Sequence, residues 1–227
     1  MDRHVQVGIH ELKNKIIEMG GLAEEAIALA VEGFLASSSQ RAQDVKDIEN
    51  RINRLHILVD ELCVRLLATQ QPMGSDLRFI VAVIKINADL ERIGDQAVNV
   101  SGNAKRALAG RPLDLDTRND FAAMCPATRD MVRSALDAFV RNDQRVAEKV
   151  LKMDDVVDGL KNAIFAKTIE LMEQGTLGVK QGLDLILIAR NLEKIGDHAS
   201  NIAEDVIYAT SGQDVRHPYS RTELKSP

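Results

Sequence analysis

The sequence predicts an all-α protein built as two tandem, homologous three-helix bundles of the up-and-down, spectrin-like kind, and three observations predict it. Only 5 of the 227 residues are proline and 3% are aromatic, while Ala, Leu, Ile, Glu, Lys and Arg, all good helix formers, are abundant. Apolar residues recur at helical spacing over long stretches. The segment ERIGDQAVNV (91–100) is rewritten almost word for word as EKIGDHASNI (193–202), which points to an internal duplication.

The elements follow in order. Ile9, Leu12, Ile16 and Met19 mark a first helix that leads into Gly20 and Gly21, where a kink or local break is expected. In the second, Ile48, Ile52, Leu55, Val59, Leu62 and Leu66 recur at steps of four, three, four, three and four, a single stripe on one helical face. QQPMGSD (70–76) reads as a turn. Ile86, Leu90, Ile93, Ala97 and Val100 carry a third helix, and residues 110–113 form a connection after which Asp116 or Thr117 is expected to cap the fourth. Met19 and Phe34 match Met124 and Phe139, both 105 positions on, although Pro126 warns of a distortion. At the same offset Ile52, Leu55 and Val59 fall on Val157, Leu160 and Ile164 in a fifth helix. The sixth carries the second motif, where Glu193 follows Glu91 by 102. The second copy is therefore three residues shorter between its second and third helices, at the turn EQGTLG (173–178). The expected units are 1–110 and 111–212, followed by an exposed C-terminal extension, 213–227.

Composition narrows the function. A formal charge of −5 without long Lys/Arg runs argues against nucleic acid or an anionic lipid surface as the main partner, since both reward a concentrated positive patch. Metal cations or basic protein surfaces suit it better. Cys63 and Cys125 lack CxxC spacing and read as buried thiols in a reducing compartment. The N-terminus shows no signal-peptide pattern, and the most apolar run, 79–86, is broken by Lys85. A span needs roughly 20 apolar residues, so a soluble, cytoplasmic protein is expected. No GxxxxGKS, GxSxG or Cys/His pairing near an acid is present, and no enzymatic machinery is visible.

Two acid rows remain to be explained. Residues four apart share a helix face, so Glu91, Asp95 and Asn99 form one row, and Glu193, Asp197 and Asn201 another. A count of about 100° per residue turns these rows away from the apolar stripe, and Glu49, Asn53 and Asp60 lie on the flank of their own helix. Solvated surface acids are the plain alternative, with Arg92 and Lys194 as local counter-charges. Repelling acids and a mid-helix glycine, Gly94 or Gly196, nevertheless recur together in both copies, and each carries a cost in helix stability. Clustered carboxylates suit oxygen-loving cations, and a glycine leaves room for a ligand or another backbone. A ferritin-like di-iron core would need ExxH motifs facing inward, and none is present. His198 has Gln96 as its counterpart and is expected to be a surface histidine.

The motifs NADLERIGDQAVNVS and ARNLEKIGDHASNIAEDVIY, with SDLR (75–78), DELCVRLL (60–67) and GQDVRHP (212–218), resemble the PhoU family over nearly the whole chain. The resemblance implies a non-enzymatic negative regulator of the bacterial phosphate ABC transporter and of the phosphate-starvation two-component pathway. It implies contact with the transporter's ATPase subunit and the sensor histidine kinase, a membrane reached only through these partners, and a homodimer. It also implies surface metal ions, divalent or ferric (Fe, Zn, Mn or Mg), at E(D)xxxD motifs. Here these are Glu91 with Asp95, Glu193 with Asp197 and Asp154 with Asp158, while Glu49 with Asn53 departs by offering an amide oxygen for a carboxylate. A metal-storage or metal-dependent helical-bundle enzyme is the alternative from another class.

Overall fold

The computed structural model describes residues 3–36, 41–110, 112–113 and 115–216. Among them the regular elements are six α-helices: α1 (Arg3–Leu35), α2 (Arg41–Gln70), α3 (Gly74–Leu108), α4 (Leu115–Arg141), α5 (Gln144–Glu173) and α6 (Val179–Ser211). Of the expected C-terminal extension, residues 217–227 lie outside the described part.

The stripes of α2 and α3 become buried faces, while Ile9 of α1 and Leu160 of α5 are half-buried. Ile48, Ile52, Leu55, Val59, Leu62 and Leu66 of α2 are buried, as are Ile86, Leu90, Ile93, Ala97 and Val100 of α3. Burying a side chain of this size is worth about 1.5–3 kcal/mol, so the stripes outweigh the weak intrinsic preference of any one helix. α1 runs through Gly20 and Gly21 without the expected break. Gly20 instead serves a close approach, since a Cβ there would stand 2.7 Å from the Leu136 side chain of α4. Pro126 lies inside α4 and does not end it. α4 starts one residue before Asp116, so Asp116 and Thr117 occupy its first turn and do not precede it; an acid there still favours the positive end of the helix dipole.

The three missing residues of the second unit are lost at the predicted place, but from helix ends. The α2–α3 connection is residues 71–73, while the α5–α6 connection is longer, 174–178. α5 begins with a true cap, because Asp143 accepts hydrogen bonds from the backbone N–H groups of Arg145 and Val146.

Within each unit all three helices pack on one another, and the units join through two further pairings, α3 with α6 and α1 with α4. Among the described residues α2 packs only on α1 and α3, and α5 only on α4 and α6. Four helices therefore form the centre, with α2 and α5 outside. Both cross-unit pairings are antiparallel: Lys85 meets Asp205 while Arg106 meets Asp184, and Phe34 stacks edge-on against Phe121 while Gly20 meets Leu136. Equivalent helices meeting in opposite directions relate the units by an approximate two-fold rotation.

Cys63 and Cys125 are both free and buried. Burial pushes both thiols up to about 12, with the nearby Asp60 carboxylate adding to the effect at Cys63, so neither is a reactive thiolate. Among the described residues no helix is long and apolar enough to cross a membrane.

Candidate functional site

The acid rows lie on the seams where the second and third helices of each unit meet, and the glycines explain why those seams are narrow. A Cβ on Gly94 would stand 3.0 Å from the Ile52 Cδ1 of α2; on Gly196 it would stand 3.4 Å from Met131 of α4 and 3.5 Å from Val157 of α5. Ile52 and Val157 are equivalent in the repeat. The glycines therefore admit a neighbouring helix and face the protein interior, not a ligand. Glu49 and Asn53 flank the Ile52 contact on α2, and Glu91 and Asp95 flank Gly94 on α3. Asp154 and Asp158 hold the matching places on α5 opposite Glu193 and Asp197 on α6.

The first acid of each row points less outward than the angular count implies. Side-chain exposure is 20% for Glu91 and 15% for Glu193, whereas Asp95 and Asp197 are more open. Glu193 is covered at the seam of its own unit, where Lys161 of α5 crosses to it. Asn99 and Asn201 are exposed.

In the second seam the acids are crossed by lysines. Lys161 Nζ of α5 donates to Asp158 Oδ1 and, across the seam, to Glu193 Oε1, both at 3.1 Å. Lys194 pairs with Asp197 and with Glu193 at 3.4 Å. Ser200 Oγ donates to Asp154 Oδ1 at 3.3 Å. Burial, then the Asp197 and Asp158 charges, raise the Asp154 carboxyl above its ordinary range despite that hydrogen bond. Partial burial works against the charge of Lys161, but its hydrogen bonds to Glu193 and Asp158 prevail and raise it above the usual lysine value.

The first seam is wired differently. Asn53 donates to Glu49 along α2, and its Oδ1 is buried without a partner. Arg92 pairs with Glu91 at 3.5 Å and Asp95 at 3.2 Å, both on its own helix, and it is 61% exposed. The Lys161 position is held by His56, which turns to Asp60 at 3.5 Å. The link between α2 and α3 is Asn87, donating to His56 O at 3.0 Å and Asp60 Oδ1 at 2.9 Å.

Among the described residues no three His, Cys, Asp or Glu side chains stand close enough together to hold a metal ion as they are arranged. The donor chemistry of the two seams can be compared with what an oxygen-loving cation needs. The first supplies carboxylates and an orphaned amide oxygen, so a cation would satisfy an atom that nothing else satisfies. The second has its lone pairs engaged by ammonium groups.

His198 is half of a contact between the units. Its Nδ1 lies 2.8 Å from Asp89 Oδ1, which also accepts from Asn201 Nδ2 at 3.1 Å. Further along the same face Lys85 reaches the buried Asp205 at 3.0 Å and lies over the Tyr208 ring. Lys161, Ser200 and Asp89 escaped the sequence reading because none repeats between the units: their counterparts are His56, Val98 and Asn191.

A chain of two three-helix units that repeat the same carboxylate seam is a tandem helical-bundle protein. The PhoU domain model matches it twice, over residues 16–104 and 121–206. The chain belongs to the PhoU family. It is 37% identical over 211 residues to the phosphate-specific transport system accessory protein PhoU homologue of Pseudomonas putida, covering 92% of this chain and 81% of that protein. It is 30% identical to the Escherichia coli K12 phosphate-specific transport system accessory protein PhoU, covering 92% and 86%. Crystalline PhoU from Pseudomonas aeruginosa superposes with a TM-score of 0.87 at 35% identity, covering 92% of this chain and 99% of that one. A phosphate transport system regulatory protein from Streptococcus pneumoniae shares the fold, with a TM-score of 0.86 at 23% identity. These relatives are named as accessory and regulatory proteins, not as enzymes.

Proposed function

We propose that the chain is a non-enzymatic regulator of phosphate uptake that restrains a phosphate ABC transporter and the phosphate-starvation two-component pathway. The observation that carries this reading is the double family match, with relatives named for phosphate transport aligned over more than nine-tenths of the chain. A regulator of this kind works by contact, and the fold is suited to contact: its long outer helices offer extended surfaces. The contacts we propose are with the transporter's ATPase subunit and the sensor histidine kinase, made in the cytoplasm by a homodimer, so that the protein meets the membrane only through its partners.

The acidic seams are proposed to bind metal, divalent or ferric. Carboxylate oxygens with an amide oxygen are a hard-ligand set, and Glu49, Asn53, Glu91 and Asp95 would supply it in the first unit, with Asp154, Asp158, Glu193 and Asp197 as the second group. Bound metal would supply charge neutralisation across a seam.

Regulation is tested by deleting the gene and measuring alkaline phosphatase in phosphate-rich medium. Expression is expected to rise and to fall again on complementation. Normal repression in a deletion strain lacking a paralogue would overturn the regulatory reading.

A further inference from the structure

We propose that the outer face of α2 is the surface through which two copies of the chain pair, antiparallel and about a two-fold axis that passes between Ile57 and Leu58. The inference rests on the homodimer proposed above and assigns the face that forms it.

α2 carries two stripes. The buried one, Ile48 to Leu66, is covered by α1 and α3, and among the described residues α2 packs on no other helix. Two residues further on, Asn50, Arg54, Ile57, Glu61, Val64 and Ala68 repeat the same steps of four, three, four, three and four, and all six are exposed. A shift of two residues turns the stripe by about 200°, to the far side of the helix. The spacing is that of a coiled-coil seam, and its apolar members Ile57 and Val64 are 62% and 64% exposed.

The charges on this stripe select the occupant. Arg54 and Glu61 flank the Ile57–Leu58 midpoint at equal spacing, about two turns apart, which is too far for them to meet on one helix. Among the described residues neither makes an ion pair or a side-chain hydrogen bond within the chain. A second α2 turned about that midpoint sets Arg54 beside the partner's Glu61 and Glu61 beside the partner's Arg54, with Ile57 meeting its own copy between them. A two-fold contact requires a patch that complements itself in this way. The midpoint lies close to the middle of α2, so the paired helices overlap along most of their length, and no two like charges stand opposite at this register. α5 is the equivalent outer helix and answers differently. There the same operation sets Lys152 beside the partner's Glu173 but Asp155 against the partner's Glu170, and Gly159 and Ala166 stand where α2 has Arg54 and Glu61. Attraction and repulsion then offset each other. One helix pair is a small interface, so the dimer is expected to dissociate on dilution.

The test is the mass of the full chain in solution, by sedimentation equilibrium over a range of concentrations. R54E and E61R are each expected to weaken the dimer about tenfold or more, because each turns two reciprocal attractions into repulsions. The exchange R54E/E61R restores both pairs and is expected to return the dimer to wild-type strength. I57K is expected to abolish it, and I169K on α5 to leave it unchanged. All four positions are exposed, so helix content and melting temperature should match wild type and exclude a folding defect. The assignment to α2 is overturned if the dimer survives the single charge reversals, if the exchange fails to restore what they lose, or if I169K dissociates it and I57K does not. A wild-type chain that is monomeric at every concentration overturns the homodimer itself, so the two readings fail separately.

Discussion

Gly94 and Gly196 look alike in sequence and are not equivalent in space. In each case the helix forgoes a side chain where a neighbour passes, but the clearance differs: 3.0 Å to a branched Ile52 side chain against 3.4 Å to the flexible end of Met131. Alanine exceeds glycine in helix propensity by about 1 kcal/mol. Gly196→Ala is accordingly expected to stabilise the protein by up to about that amount in urea denaturation, because the added methyl meets ordinary contacts. Gly94→Ala should fall short of it, since Ile52 must move to admit the methyl. Equal gains at both positions would show that the Ile52 contact is soft. The glycines were legible in the sequence as anomalies, but not their cause. Periodicity tells which residues of a helix are apolar, not which residue of another helix comes near, so a packing device resembled a ligand cradle.

At the scale of the helix pair, α5 and α6 are held by mixed charges, and the acid that carries the cost is Asp154. Burial and the neighbouring Asp197 and Asp158 raise its carboxyl, so the folded state holds the proton more tightly than the unfolded chain does. A raised carboxyl contributes stability below its unfolded value and loses it as pH rises through the folded one. Asp154→Asn, which keeps a hydrogen-bonding partner for Ser200, should therefore raise the melting temperature at neutral pH, and the advantage should shrink as pH falls into the acidic range. An advantage independent of pH would assign the effect to something other than charge. The helices themselves were readable almost throughout, because a stripe of the type Ile48 to Leu66 has no other use. The facing of Glu91 and Glu193 was not. An angular count is taken from one helix's own apolar stripe, and it does not register a side chain of a neighbouring helix, such as Lys161, that reaches across the seam to Glu193.

For the whole molecule the decisive region is the junction between units, where charge is buried as well as apolar surface. Asp205 is almost fully covered and answered by Lys85 at 3.0 Å. Burial raises its carboxyl, against the lowering effect of Lys85. Removing one member of such a pair leaves the other uncompensated, typically at a cost of about 3 kcal/mol or more. Lys85→Met should therefore destabilise the protein markedly at neutral pH, with part of the loss recovered in acid as Asp205 takes up a proton. A pH-independent loss in matched denaturation curves would mean that the Lys85 stem, packed on Tyr208, matters more than its charge. The duplication was visible in the sequence through its repeated motif, but the junction was not, because Lys85, Asp89, His198 and Asp205 are the residues at which the copies differ.

That difference has a consequence for how the protein is met by others. Two identical subunits paired about an axis would repeat every feature of their interface on both sides of it. Here one reading frame encodes both halves, so His198 faces Asp89 on one side of the midpoint of the α3–α6 pair, while the matching positions on the other side are Gln96 and Asn191. Likewise Lys85 and Asp205 have Leu187 and Asn103 as their reflections. Tandem fusion has thus given a nearly symmetric scaffold two distinguishable ends, one marked by Lys85 with Asp205 and the other by Arg106 with Asp184, and a protein that recognises either finds one such place on each chain.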